Sequence, residues 1–545
     1  MNPQRFINIA AHLPEMARLQ PDTPAIIFPK GNIRLSFDEL NALSDRIAHG
    51  LVRNGIGRGV RTALMVPPGP DLFALTFALF KAGAIPVLID PGLGIKNLKT
   101  CLAEAEPQAF IGIPKAHIAR ILFGWGKSTL KTYVTVGRRL FWRGFTLADL
   151  LKHEEVDISF SPAPTDRDDT AAILFTSGST GPPKGAVYSH GNFSAQVEAL
   201  REVYDIKPGE IDLPTFPLFA LFAPALGMTA VIPEMDFTRP GSVDPCKIIS
   251  AINEYGATTM FGSPALINRV SRHGAEHGTK LTTLKRVISA GAPVPAATLE
   301  RFSRMLGPDA EIFTPYGATE ALPVCSIGSN EILGETRAIT DAGGGVCIGK
   351  PVPGIRLEVI EITDEAIPVW KDSLRVPPGR IGEIVVQGGQ VTRGYYNRSE
   401  ANRLSKISDP DGGFLHRMGD LGGFDEKGRL WFCGRKSHRV ETADGPLFTI
   451  PVEGVFNTHP AVFRTALVGI GIFGSQRPVL CVELEKEAGA DREQIRNELL
   501  EIAKAHVHTL GISTFLFHPA FPVDIRHNAK IFREKLAVWA EGKIQ

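Results

Sequence analysis

The stretch ILFTSGSTGPPKGAVYSHGNF, Ile173 to Phe193, decides how this chain is read. The apolar run AAILF predicts a strand that ends in a loop of Gly, Ser and Thr. Gly178, Gly181 and Gly185 let the backbone bend tightly and turn N–H groups toward an anion. Thr176, Ser177, Ser179 and Thr180 add hydroxyl donors, and Lys184 adds positive charge. This is the composition needed to hold a polyphosphate. It is not a Walker P-loop, because Pro183 stands where that motif has Gly before the lysine, and Gly185 where it has Ser or Thr after it. A Ser/Gly surface linker has a similar composition. Such linkers rarely follow a strand, contain Pro-Pro-Lys-Gly and lead into a helix-like run such as SAQVEALREVY, Ser194 to Tyr204.

Outward from this loop the chain alternates short apolar runs with amphipathic stretches. RTALMVP (Arg61 to Pro67), DLFALTFALFKAG (Asp71 to Gly83) and AIPVLID (Ala84 to Asp90) read as strand, helix and strand with parallel pairing. The rhythm returns at ATTMFGSP (Ala257 to Pro264) and RVISAGAPV (Arg286 to Val294). Near Ile355 it changes: IRLEVIE, GEIVVQG and GRLWFCGR are strands set between Gly- and Pro-rich turns, as in an antiparallel sheet or small barrel. A polar segment, GRKSHRVETADG, follows Cys433, and the domain boundary is expected there. The expected fold is α/β. Residues 1–434 form a large domain of mixed parallel sheets and helices with a small antiparallel barrel-like subdomain; residues 435–545 form a small α+β domain. GIGIFG, Gly469 to Gly474, matches G-x-G-x-x-G after a strand, but another strand follows where a dinucleotide fold needs a helix. It reads as a loop.

A chain of 545 residues is too long for one compact core. It is 43% hydrophobic and 21% charged, with a mean hydropathy of +0.02, as an ordinary soluble protein is. The net charge of +1 supplies no field toward nucleic acid, so no nucleic-acid partner is expected. The six cysteines are scattered, without a C-x-x-C pair or tight spacing to His; they read as reduced thiols, mostly buried, in a cytoplasmic protein. The first residues, MNPQRFINIAAHLPEMARLQPD, lack the apolar run of a signal peptide. Leu213 to Pro233 is uncharged and long enough to span a bilayer, yet Pro214, Pro217, Pro224 and Pro233 interrupt helical hydrogen bonding. A core segment or apolar pocket wall is expected instead.

The glycine-rich loop resembles the phosphate loop of the ANL superfamily: acyl-CoA synthetases, nonribosomal-peptide adenylation domains and luciferases. Further motifs follow in that superfamily's order. SAGAPVP (Ser289 to Pro295), with Gly291, Ala292 and Pro293, resembles the adenine-contacting strand end. FTPYGATE (Phe313 to Glu320) resembles the nucleotide motif. The resemblance implies that Tyr316, beside Gly317, packs on adenine, that Thr319 touches the α-phosphate and that Glu320 holds Mg²⁺. An aromatic face suits a purine, and a carboxylate suits a hard cation. HRMGDLGGFDEKGRLWFCGR (His416 to Arg435) resembles the ribose-binding region, implying that Asp420 accepts from the ribose hydroxyls with Arg435 assisting. PVDIRHNAKIFREKL (Pro522 to Leu536) resembles the catalytic-lysine motif, with Asp524 at its Pro position and Ala529 at its Gly position. Lys530 is then the catalytic lysine, its ammonium bridging the substrate carboxylate and the α-phosphate. ATP and Mg²⁺ are the implied cofactors.

Two regions depart from the superfamily. The hinge reads GRKSHRVETADGPLFTIPVE, with His438 at the usual Asp and Glu441 at the usual Lys. In PLFALFAPALG, Ala220 stands where relatives often carry His; Phe216, Phe219, Leu221 and Phe222 are expected to wall a wide apolar acyl pocket. With IRHNAKIFREKL and FTIPVEGVFNTHP, these departures resemble the β-lactone synthetases of bacterial long-chain olefin biosynthesis. That branch implies a long-chain 2-alkyl-3-hydroxyalkanoic acid as substrate, adenylation of its carboxylate, and attack by its own 3-hydroxyl to close a lactone. Holding the hydroxyl beside the acyl carbon makes the second step positional rather than bimolecular. The alternative is a long-chain acyl-CoA or acyl-carrier-protein ligase, which shares every adenylation residue. His438, His527 and His190 stand as alternatives for the group that takes the hydroxyl's proton. The branch also implies a complex with other enzymes of olefin biosynthesis. Finally, residues 111–147 carry Lys115, Arg120, Lys127, Lys131, Arg138, Arg139 and Arg143 with Phe123, Trp125, Phe141, Trp142 and Phe145 interleaved, and no acid. That composition fits a membrane surface, a partner protein or a solvated insertion.

Overall fold

The computed structural model describes residues 7–152, 159–176, 182–485, 491–524 and 530–544. Two seven-stranded sheets form the body. In the first, Arg61–Met65 pairs in parallel with Ile85–Ile89 and with Ala109–Gly112, and the expected helix between the first two is Pro70–Lys81. Ten of its twelve residues, Leu72 through Lys81, are buried, because both faces of this helix meet apolar neighbours. Lys81 tolerates complete burial since its ammonium contacts Asp45 at 2.6 Å, Ser44 at 2.8 Å and the Asn41 amide oxygen at 2.7 Å. The sheet ends with Thr170–Thr176, which runs parallel to Ile85–Ile89 and antiparallel to Lys184–Ser189. The second sheet runs Glu311–Phe313, Arg286–Ile288, Thr259–Phe261, Ile211–Pro214, Thr229–Val231, Pro24–Phe28 and Ile33–Ser36, parallel except for the last pair.

The change of rhythm near Ile355 is a change of architecture. Ile355–Ile360, Gly382–Gly388, Phe414–Phe424, Leu430–Arg435 and Val346–Cys347 pair antiparallel in one sheet. Beyond it, Val440–Thr442 and Gly445–Leu447 form a hairpin. Val462–Ile470, Arg477–Leu484 and Phe515–Phe517 then make a small sheet covered by helices Thr449–Phe456, Arg492–Lys504 and Arg533–Ile544. The buried apolar clusters divide at the same place. Two of them draw only on residues from Val440 onward, and the others only on residues before Gly434. GIGIFG turns one antiparallel strand into the next, so it is a loop.

The apolar run from Leu213 folds into a strand, the short helices Pro217–Ala220 and Phe222–Leu226, and a second strand. No helix among the described residues is long and apolar enough to cross a membrane. Five of the six cysteines are buried and Cys246 is exposed. The basic-aromatic segment is partly core: Trp125 and Trp142 are buried, the latter donating to Thr135 Oγ1 at 2.9 Å and stacking on His117. Ile111, Leu130, Val134 and Val136 are buried as well, whereas Leu122 and Phe141 face outward, 73% and 77% exposed.

Candidate active site

The phosphate-loop lysine starts the strand Lys184–Ser189, opposite Thr176 in the antiparallel register. Ser177, Gly178, Ser179 and Thr180, and the Thr176 side chain, lie outside the described residues. Lys184 Nζ stands 5.0 Å above the ring of Tyr395. A backbone ladder fixes this contact: Tyr396 N–H donates to the Gly185 carbonyl at 2.8 Å, and Val187 N–H to the Gly394 carbonyl at 2.9 Å. The Tyr395 hydroxyl donates to Glu320 Oε1 at 2.5 Å. One tyrosine therefore joins the loop lysine to the nucleotide motif. Burial and the adjacent Glu320 charge both push its phenol pKa far up, so it remains a donor.

The motif YGATE is a tight turn between the strands Tyr316–Ala318 and Ala321–Ser326. Gly317 is required by space, since a Cβ there would lie 2.6 Å from the Ala321 carbonyl. The Thr319 carbonyl accepts from the buried Tyr188 hydroxyl, and the Glu320 carbonyl accepts from Thr392 N–H at 2.8 Å. Tyr316 donates its hydroxyl to Asp420 Oδ2 at 2.7 Å. Asp420 lies opposite Arg435 across two antiparallel strands, with Oδ1 and the guanidinium Nε 3.1 Å apart. Arg435 also donates to the Met418 carbonyl at 3.1 Å. Burial pushes the Asp420 pKa up, while Arg435 and the Tyr316 hydrogen bond push it back down. Gly291, with φ +101°, follows the strand Arg286–Ile288 and precedes Ala292 and Pro293 in the turn beyond it.

Lys530 belongs to the C-terminal unit, yet its charge environment is that of the site. Burial and Arg435 lower its pKa, and Asp524, Glu320 and Asp420 raise it. The backbone around it is held by Asp524 N–H donating to the Lys530 carbonyl at 2.9 Å. The unit is fastened to the body by charge. Arg439 donates to Asp364 Oδ2 at 2.7 Å and Lys436 reaches Glu383 at 3.1 Å; inside the unit Arg439 also donates to Glu441 Oε1 at 2.5 Å. Glu441, at the position where relatives carry lysine, is thus a partner for Arg439. Within the unit, Arg533 grips buried Glu453 through bonds of 2.8 and 2.6 Å.

An apolar cavity opens beside this centre. Leu200, Phe219, Phe222, Leu226, Met228 and Phe261 line it, and Ala290 and Pro315 link it to the nucleotide motifs. Phe219 and Phe222 are where the sequence puts them. Phe216 and Leu221 are not among the lining residues: Phe216 packs edge-on against Phe219, and Leu221 packs into the main core. Leu221 falls between the two short helices Pro217–Ala220 and Phe222–Leu226, and Phe216 precedes the first of them. Asp212 also faces this cavity, and burial raises its pKa to about 7.

Sequence reasoning missed Tyr395, Lys406 and Asp212. Lys406 donates to the Thr392 carbonyl, and burial lowers its pKa to about 7 against the opposing pull of Glu320. It is paired in register with buried His416, whose pKa falls far below the usual imidazole value from burial and the nearby Lys406, Lys184 and Arg435 charges. Of the three histidines considered for proton transfer, His527 lies outside the described residues. His190 is committed to the core, its Nδ1 accepting from Ile9 N–H at 3.2 Å. His438 sits in the field of Arg435 and Arg533, and burial first, then these charges, lower its pKa to about 3. It is neutral and a weak base.

The family model for AMP-binding enzymes matches residues 13–396. The chain belongs to the AMP-binding enzyme family. Within that family it is 52% identical over 547 residues to an olefin beta-lactone synthetase of Xanthomonas campestris, covering 98% of this chain and 97% of the relative. It is 51% identical over 557 residues to an olefin beta-lactone synthetase of Stenotrophomonas maltophilia, covering 99% of each. The fold matches that of ATP-bound MatB from Rhodopseudomonas palustris with a TM-score of 0.81 at 21% identity, covering 99% of both chains. As an adenylate-forming member of the family, the chain is an enzyme of the ligase type.

Proposed function

We propose that this enzyme converts a long-chain 2-alkyl-3-hydroxyalkanoic acid and ATP into a β-lactone, AMP and diphosphate. The observation that carries this reading is identity above half, over nearly the whole chain, to two olefin beta-lactone synthetases. In the first step a carboxylate oxygen attacks the α-phosphorus and diphosphate leaves. In the second, the 3-hydroxyl oxygen attacks the acyl carbon, the C–O bond to AMP breaks and the hydroxyl proton is released. Lys184 and the loop at Thr176, Ser177, Gly178, Ser179 and Thr180 hold the phosphates; Gly291, Ala292, Pro293 and Gly317 frame adenine beside Tyr316. Asp420 and Arg435 hold the ribose. Thr319 meets the α-phosphate, and Lys530 balances the charge that builds as the carboxylate attacks.

Glu320 offers a carboxylate oxygen beside the phosphate-loop lysine, and the hard-oxygen donor fits Mg²⁺. When bound, that ion neutralises phosphate charge; Tyr395 orients the carboxylate that holds it. Residues 1–434 bind ATP and acid, and residues 435–545 act as a lid carrying Lys530. The apolar cavity receives an alkyl chain. The outward-facing residues between 111 and 147 suit an anionic membrane surface from which such a substrate is drawn, and contact with other enzymes of olefin biosynthesis fits the same reading.

The test is the acceptor. A 3-hydroxy acid with ATP and Mg²⁺ gives one AMP per lactone, and added CoA changes nothing. The matched acid without the 3-hydroxyl stalls at the adenylate. Free turnover of that acid to a thioester once CoA is added would overturn the lactone reading and leave adenylation intact.

A further inference from the structure

Helix Pro245–Tyr255 and helix Pro264–His277 bring together donor side chains that are none of those assigned to ATP or acid. Cys246, the second residue of the first helix, is exposed, and its Sγ lies 3.5 Å from His273 Nε2 on the second. A tetrahedral zinc ion bound at about 2.3 Å to sulfur and about 2.0–2.1 Å to imidazole nitrogen separates those two donors by about 3.5 Å. The observed edge is the one such an ion requires.

His273 and His277 are four residues apart, so they share one face of the helix. Their rings stack with centroids 4.1 Å apart. Donor atoms of His273, Glu276 and His277 all lie within 4.8 Å of one another. His277 Nδ1 lies 2.9 Å from the His273 carbonyl, an atom that only accepts, so the proton is on Nδ1 and the Nε2 lone pair is left for a ligand. A second bond of this kind is what orients metal-binding imidazoles generally. The two helices are themselves fixed in place: Arg269 donates to the Val243 carbonyl at 2.9 Å, just ahead of the first helix.

We propose that Cys246, His273 and His277, completed by Glu276, form a surface site for a thiophilic divalent cation of the Zn²⁺ class that staples the two helices. A thiolate, a carboxylate and two neutral imidazoles around a dication make a neutral set, and binding releases the thiol proton. Sulfur and nitrogen donors select against Mg²⁺, so this site and the nucleotide centre draw on different ions. The Cys246–His273 edge is already at donor spacing, and adjustment of the His277 and Glu276 side chains around it closes the shell.

Tag-free, metal-stripped full-length enzyme is titrated with Co²⁺ without ATP and with Mg²⁺ in excess. One Co²⁺ binds per chain, with a thiolate-to-cobalt charge-transfer band and the intense visible absorption of tetrahedral cobalt, and Zn²⁺ displaces it. Cys246→Ser removes the charge-transfer band, and His273→Ala or His277→Gln weakens binding by about tenfold or more. AMP release and its Mg²⁺ dependence stay at wild-type values in all three, which also reports that the variants are folded. Absence of the band in the wild type, or its survival in Cys246→Ser, overturns the site.

Discussion

The Tyr395 hydroxyl donates to the Glu320 carboxylate at 2.5 Å while Lys184 rests on the opposite property of the same residue, its ring face. A hydrogen bond to a charged acceptor is worth about 1.5–3 kcal/mol. Tyr395→Phe keeps the ring and removes the bond. The Mg²⁺ concentration for half-maximal diphosphate release should rise severalfold, with ATP binding little changed. A Mg²⁺ titration that overlays the wild type would remove Tyr395 from any role in positioning Glu320.

Lys530→Ala should cut adenylation by about 10²–10³-fold, the usual cost of losing one aimed donor, while ATP still binds. The pH profile is a sharper check. Burial and Arg435 lower the Lys530 pKa, so its positive charge is lost at a lower pH than that of a free lysine. Adenylation should therefore fall on the alkaline side earlier than a surface lysine would dictate. Arginine stays charged throughout this range, so any activity retained by Lys530→Arg should lack that alkaline limb.

Asp212 predicts a pH-dependent stability. Its pKa rises from an ordinary 3.8 to about 7 on folding. Below the lower value both states hold the proton and the group costs nothing. As pH climbs through the window, the unfolded chain releases a proton that the folded chain keeps, so stability declines until about pH 7. The full cost is of order 4 kcal/mol. Urea midpoints measured at pH 5 and pH 8 should differ in the wild type more than in Asp212→Asn, and equal differences would mean that the carboxyl titrates normally.

At low salt the enzyme should adsorb to anionic vesicles and leave them as salt is added, since exposed charges are screened over about 10 Å at 0.1 M. Reversing Arg138, Arg139 and Arg143 to Glu should abolish adsorption, and Phe141→Ser should weaken it at every salt concentration. Indifference to vesicles at low salt would leave the exposed apolar residues between 118 and 145 as a contact for another protein.

Much of the candidate site was legible because its residues come in contiguous motifs. Tyr316 and Glu320 are four residues apart, and Asp420 and Arg435 are brought opposite each other by a simple hairpin of strands. Tyr395 was not legible: it meets Glu320 across 75 residues, and GYYN looks like any turn. Cys246 and His273, 27 residues apart, meet only because two helices pack side by side. Lys406 carries no motif; its register opposite His416 and its contact to the Thr392 carbonyl emerge only from the folded sheet. The parallel sheets followed from hydrophobic rhythm, whereas the fate of Phe216 and Leu221 depended on a break between two helical turns that the rhythm does not encode.

The Arg439 contact to Asp364 has a kinetic meaning. Among the described residues the C-terminal unit and the body share no buried apolar cluster, although helix Thr449–Phe456 packs against the strand Leu430–Arg435. The Arg439–Asp364 pair is an ionic part of what resists parting of the two, and that part weakens as electrolyte is added. Where opening limits turnover, the steady-state rate climbs with ionic strength even as a single turnover inside the closed enzyme holds constant.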